Sequence, residues 1–395
     1  MATSIRRTTP KYAAHAITED LDEARPFAWH AAAVTFGAVC VMVGVYWDIS
    51  WHMTIGRDTF WTPAHLLIQA GGLIAGLTSG YVAIRTTFGG SVGVQDASVT
   101  FWGFKAPLGA WVAIWGCFAM VSSAPFDNWW HDAYGLDVRI ISPPHTVLAL
   151  GIAGVGIGAL LLTLAAQNRE GPQQRSAMWL FLIAGSLLFM DRAILLTEYS
   201  WKNLMHGGEF YRVSALAYPM ALVLMARASK VKWAATTTAG IFTALMLALM
   251  WIIQLFPATP KLGPIYQNIT HMVAMDFPVL VVVPAIGIDL VMQRLKLRPL
   301  LLSVVLSAVF LALFIAVQWP FASFLMSPAA RNWFFNADNF VYWMSARGVE
   351  NARAWQAADP GAWPFAAQMG LALVLGTFSS WVGLWFGTWM TKVKR

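Results

Sequence analysis

Stretches of about twenty apolar residues recur along the whole chain. They lie at approximately residues 29–48, 63–84, 106–123, 144–166, 177–196, 213–228, 234–256, 270–292, 299–319 and 365–389. About twenty apolar residues in a helix cross the ~30 Å hydrocarbon core of a bilayer. Lipid offers backbone amides and carbonyls no partner, so a helix of this length must satisfy them within itself. The pattern predicts an all-α, polytopic transmembrane helix bundle of about ten spans. Charged residues make up only 11% of the chain, against about 25% in soluble domains. Many of the 21 tryptophans stand at the ends of apolar runs, the position of interfacial aromatic belts.

The net charge of +7 would suit a nucleic-acid partner if the basic residues were clustered. They instead occupy short loops between spans, so the partner they imply is the lipid bilayer and no nucleic acid. With a cytoplasmic N-terminus, the inside segments hold 17 of the 26 Lys and Arg and the outside segments nine. The positive-inside rule then predicts that both termini are cytoplasmic. Residues 1–28 are polar and lead into the first span without the early apolar core of a cleavable leader, so that span reads as a retained anchor. Cys40 and Cys117 each fall inside an apolar run and match no metal-type cysteine spacing; they read as small packing residues. Three regions follow: a cytoplasmic segment 1–28, a four-helix region 29–166, and further spans over 167–395. The last includes an outside segment near 320–364, whose Trp333, Phe334, Phe335, Tyr342 and Trp343 read as interfacial packing.

A polar motif occurs twice in the four-helix region. The first loop runs from Asp48 through Trp51-His52 to Gly56-Arg57-Asp58 and then to Pro63-Ala64-His65. The second runs from Asp127 through Trp130-His131 to Gly135 and Asp137, then to Pro143-Pro144-His145. Both place His four residues after Asp, Gly four after that His, Asp two further on, and Pro two before a last His. This has the form of an internally duplicated helix-loop-helix unit. Asp and His four apart share a helix face, and Pro suits the first turn of the returning helix. One carboxylate and two imidazoles then converge between antiparallel helices, a donor set for a divalent transition metal with open coordination positions. The candidate ligands are Asp48, His52 and His65 in one set and Asp127, His131 and His145 in the other. Arg57, Asp58, Asp137 and Arg139 read as loop-bracing or supporting residues, since ligand imidazoles commonly donate to carboxylates.

At these residues the sequence resembles the C subunit of the particulate methane/ammonia monooxygenases, a family of copper membrane enzymes. Trp51-His52-Met53-Thr54, Arg57-Asp58-Thr59 and Thr62-Pro63-Ala64-His65 carry the resemblance. The family binds copper in the membrane through Asp, then His after three residues, then His after twelve, and Asp48, His52 and His65 match in type and spacing. A second family site has Asn, His and His; Asp127, His131 and His145 match its spacing, with Asp127 in the place of Asn. The likeness covers about residues 30–165, and the chain is longer than the family's C subunits. It implies a divergent copper-dependent monooxygenase subunit of an inner (cytoplasmic) membrane, with its motifs facing the periplasmic or external side. It also implies A- and B-type partner subunits, a small apolar substrate taken with dioxygen, and a membrane electron donor such as quinol. The donor chemistry alone leaves copper, iron and zinc open.

Ionisable residues elsewhere in the spans are costly and are therefore paired or functional. Asp191 and Arg192 read as interfacial charges. Glu198, His206, His271 and Asp276 form a weaker candidate grouping of irregular spacing. Two other functional classes fit the same motif. A metal-handling transporter would place its site near the bilayer midplane, whereas these ligands close helix ends. A structural subunit would use metal only to staple helix pairs together.

Overall fold

The computed structural model describes residues 26–90, 95, 98–135, 142–169, 174–356 and 363–394. Among these, eleven α-helices account for nearly all regular structure. They are α1 (Pro26–Thr54), α2 (Pro63–Gly89), α3 (Leu108–Tyr134), α4 (Pro143–Asn168), α5 (Gln174–Leu195), α6 (Gly208–Ala228), α7 (Ala234–Ile253), α8 (Val282–Arg294), α9 (Pro299–Leu325), α10 (Ala346–Ala352) and α11 (Phe365–Met390). One small hairpin, β1 (Val99–Phe101) with β2 (Phe104–Ala106), leads into α3. The chain is thus an all-α bundle, and among the described residues eight helices are long and apolar enough to cross a membrane: α1 to α5, α7, α9 and α11.

Two of the ten sequence-derived spans take another form. The run 213–228 lies within α6, whose 21 residues also carry Glu209, Arg212 and Arg227. The run 270–292 is helical only from Val282 onward. Pro278 explains the difference: it has no amide hydrogen to donate and disfavours helix in the residue before it. The chain ahead of α8 is extended instead. Ala258 N donates to Thr270 O at 3.0 Å and Met272 N to Phe256 O at 3.0 Å, tying residues 256–272 into a loop. His271 and Asp276 therefore lie on extended chain and not within a span, and both are exposed.

The helices of the first half pack as antiparallel hairpins, α1 with α2 and α3 with α4, and α2 also packs against α3. Glycine permits the closest approaches. A Cβ on Gly71 would come within 2.8 Å of Val41 N, and one on Gly116 within 2.6 Å of Val155 N. Small residues at such crossings are the usual means of joining helices where lipid supplies no hydrophobic drive. The pairings also set the depth of the loops. Gly44 meets Ala64 and Ile68, Gly72 meets Met120, and Gly151 meets Met120. The loop 55–62, the C-terminal end of α3 and the N-terminal end of α4 are thereby at one end of the bundle.

The second half centres on buried aromatics: Phe189 lies 5.0 Å from Tyr218 and 4.8 Å from Phe242, ring centre to ring centre. At the opposite end of the bundle, Asn168 donates to the carbonyls of Met390 and Val393, tying α4 to the end of α11. The near-buried Asp289 of α8 accepts from Ala235 N, Thr236 N and the Thr236 hydroxyl at the start of α7. It caps that helix from a neighbouring one.

Candidate metal centre

The last turn of α1 carries two pairs of polar residues on different faces. Asp48 and His52 share one face; Ser50 and Thr54, two residues out of step, lie about 200° round the helix. Ser50 and Thr54 are fully buried. The Ser50 hydroxyl donates to Val273 O at 2.5 Å, and Val273 N donates to Thr54 Oγ1 at 2.7 Å. The extended segment before α8 is thus seated on α1 and leaves the Asp48–His52 face toward α2.

Loop 55–62 then brings the chain back. Gly56 sits at φ +80, a left-handed conformation that favours glycine, and the Tyr342 ring lies against it where a Cβ would stand. The Trp51 indole donates to Arg57 O at 3.0 Å, and Thr59 N donates to Thr62 Oγ1 at 2.9 Å. Lys261 N donates to Ile55 O at 2.9 Å and Tyr342 N to Met53 O at 3.3 Å. Pro63 opens α2, and His65 follows two residues later, within the first turn.

Four donor atoms converge there. His65 Nε2 lies 3.0 Å from Asp48 Oδ1 and 3.4 Å from Asp58 Oδ2. His52 Nε2 lies 3.4 Å from Asp58 Oδ2 and 3.8 Å from Asp48 Oδ2. One ligand atom from each of Asp48, His52, Asp58 and His65 falls within 4.8 Å of every other. Asp58 is thus a member of the cluster itself, where its sequence position marks it as support. Its signal in the sequence is the matched Asp two residues after each motif glycine, Asp58 after Gly56 and Asp137 after Gly135. The Arg57 side chain is exposed, and its backbone carbonyl braces the loop.

The hydrogen bonds fix which ring nitrogen faces the cluster. His65 Nδ1 lies 2.9 Å from Thr59 O. A carbonyl only accepts, so Nδ1 carries the hydrogen and the neutral ring turns a bare Nε2 toward the two carboxylates. Asp48 Oδ1 is buried and has no hydrogen-bond partner other than this ring. Lone pairs of nitrogen and oxygen 3.0 Å apart repel, so this arrangement calls for a cation between them, a proton or a metal ion. In the metal-free chain, hydrogen bonding from the His52 ring, reinforced by the charge on His52 and His65, holds the Asp58 carboxyl below the ordinary carboxylate range against the opposing effect of burial.

The second set repeats the plan more loosely. Asp127 Oδ1 lies 3.5 Å from His131 Nε2 and 3.8 Å from His145 Nε2, and this oxygen too is buried without a hydrogen bond. His131 Nδ1 lies 3.1 Å from Gly135 O, and His145 Nδ1 lies 3.0 Å from Ser142 Oγ at the N-cap of α4. Both rings again present Nε2 to the carboxylate. Asp137 and Arg139 lie outside the described residues. Among the described residues only the first set gathers its donors into one group of metal-binding dimensions.

The weaker candidates are held by other contacts. The His206 ring is sandwiched between Trp319 and Trp355, with centroids 4.0 and 3.7 Å away, and its Nε2 lies 3.0 Å from Trp319 O. Glu198 lies in a 3-10 turn after α5. His271 Nδ1 lies 3.0 Å from the Thr270 hydroxyl. Glu198, His206, His271 and Asp276 supply no group of three metal-type donors among the described residues.

Family models, curated proteins and solved structures were each compared with the chain, and none matches it.

Proposed function

We propose that this chain is the metal-bearing subunit of a copper-dependent membrane monooxygenase. It would oxidise a small apolar substrate, a hydrocarbon or ammonia, with dioxygen at the Asp48–His52–His65 centre. The observation that carries the reading is the convergence of these three ligands, in the residue types and spacing of the monooxygenase C subunit, at a helix end of a membrane bundle. The reading includes an inner-membrane location with the motifs outward, A- and B-type partner subunits and electrons from a quinol. Asp127, His131 and His145 would hold a second metal.

The donors suit the ion. Two imidazoles with carboxylate oxygen and no thiolate accommodate copper(II), iron(II) or zinc, and the motif likeness selects copper. Copper bound here would supply one-electron redox chemistry and a coordination position for dioxygen. The protein's own groups do the rest. Thr59 O holds the His65 ring so that Nε2 points inward. Asp48 and Asp58 offset the charge of the ion. Leu66, Leu73 and Leu77 of α2 are exposed, so the helix that carries His65 has an apolar face for lipid.

The test is metal content and oxygen-dependent turnover of the purified complex. Loss of both in His52→Ala and His65→Ala is expected; activity that survives in a metal-free protein would sink the proposal. A second reading draws on one feature: each donor set bridges the two helices of one hairpin, so metal would serve as a staple. Ligand variants that lose assembly while the chemistry persists would favour it. Metal uptake into liposomes without oxygen consumption would favour a transporter.

A further inference from the structure

We propose that Asp58 is the fourth ligand of this centre and that it sets the site for a divalent ion in preference to a monovalent one. The proposal rests on the metal-binding reading of Asp48, His52 and His65 and adds to it the charge the site selects. Three observations lead to it. The first is position. Asp58 Oδ2 is 3.4 Å from both His52 Nε2 and His65 Nε2, as central to the cluster as any atom of Asp48. The second is the buried Asp48 Oδ1, which has no hydrogen-bond partner other than the His65 ring 3.0 Å away and is aimed at the same space. A supporting carboxylate would be bonded to the far ring nitrogen of a ligand histidine. Here that role on His65 belongs to Thr59 O, and Asp58 stands on the near side.

The third observation is how firmly Asp58 is held. Its loop is fastened at Ile55, Arg57, Thr59 and the left-handed Gly56, by contacts from Lys261, Trp51, Thr62 and Tyr342 respectively. The carboxylate therefore needs no large rearrangement to coordinate.

The consequence for ion choice is electrostatic. Two carboxylates and two neutral imidazoles carry a charge of −2. A divalent ion neutralises the site, whereas copper(I) leaves one uncompensated negative charge in a partly desolvated helix end, which is unfavourable. Oxygen donors also favour harder divalent ions over soft copper(I). With Asp48 as its sole carboxylate, the site would balance a monovalent ion instead.

The test uses the purified full chain with zinc(II), copper(II) and copper(I), each in competition with a chelator. Asp58→Asn keeps the shape and removes the charge. The dissociation constants for zinc(II) and copper(II) are expected to rise about 100-fold, at the upper end of what loss of a supporting partner does. That for copper(I) should rise at least about tenfold less. A smaller difference between the ions, or no change at all, overturns the proposal. A second measurement needs no variant. In wild-type protein loaded with copper(II) and labelled with ¹³C-carboxyl aspartate, pulsed electron paramagnetic resonance should resolve two coordinated carboxylates. One carboxylate overturns the role of Asp58 and leaves the three-residue centre standing. A wild-type chain that binds no divalent ion overturns both readings together.

Discussion

At the scale of single residues, the centre depends on where each imidazole keeps its hydrogen. His65 gives Nδ1 to Thr59 O, so its Nε2 is committed to the cluster before any ion arrives. His52→Ala and His65→Ala should each weaken metal binding by about 100-fold or more, measured by titration of the purified chain, because a lost ligand costs at least as much as a lost supporting partner. Proton competition follows from the same geometry. A metal ligand must be deprotonated. Asp58 is held below its ordinary value of 3.8, so its interaction with His52 in the metal-free chain is present above that value and lost as pH falls through the lower, folded one. Above about pH 5 Asp58 is already ionised, and the competing protons belong to the two imidazoles. Metal retention measured against pH should therefore decline well before Asp58 itself takes up a proton, with two protons bound per ion released. A midpoint near pH 4 would contradict this order. The Asp-His-His triplets were legible because ligand type and helical spacing are local properties of sequence. The place of Asp58 was not, because it depends on how a loop turns at Gly56 and on which chain lies against that turn.

At the scale of elements, two contacts set the site. One is the crossing of α1 and α2 through Gly37 and Gly71, where each glycine faces the other's backbone. Gly71→Val would force the helices apart, and a buried small-to-large change costs about 1–3 kcal/mol. It should lower thermal stability in detergent and, by moving His65 away from Asp48, weaken metal binding in the same preparation. The other contact is the seat of residues around Val273 on Ser50 and Thr54. Ser50→Ala and Thr54→Val each leave a buried backbone group of Val273 unpaired, at about 1–3 kcal/mol apiece. Thermal melts should show both losses, and hydrogen exchange should rise at 270–275. Eight helices long enough to span were legible as apolar runs, since a bilayer reads little more than length and polarity. The apolar run at 270–292 misleads for a local reason: Pro278 turns its first half into extended chain that finds its hydrogen bonds on α1 rather than within itself.

At the scale of the molecule, the second half of the chain reaches back over the first. Trp251 and Gln254 at the end of α7 donate to Phe334 O and Trp333 O. Asn336, in the left-handed conformation, donates to the carbonyls of Ala274 and Met275. Arg353 pairs with Asp338 through both carboxylate oxygens. Tyr342, nearly buried, meets Gly56. The aromatics of 333–343 therefore divide: Trp333, Phe334 and Trp343 remain exposed, as interfacial residues would be, while Tyr342 packs inward on the metal loop. Tyr342→Ala should loosen loop 55–62 and weaken metal binding about tenfold, the lower end of the effect of a lost supporting contact, and binding isotherms beside wild type would show it. Nothing in the sequence of 167–395 announces this role, because the contacts of Tyr342 with Met53 and Gly56 join residues more than two hundred positions apart. The seat of Val273 has one more consequence. Asp48 and His52 ride the same helical turn as Ser50 and Thr54, so that turn is an axle with a load on each side. A displacement of the segment around Val273 would turn the axle and shift Asp48 and His52 together, although that segment lies outside the hairpin that carries them.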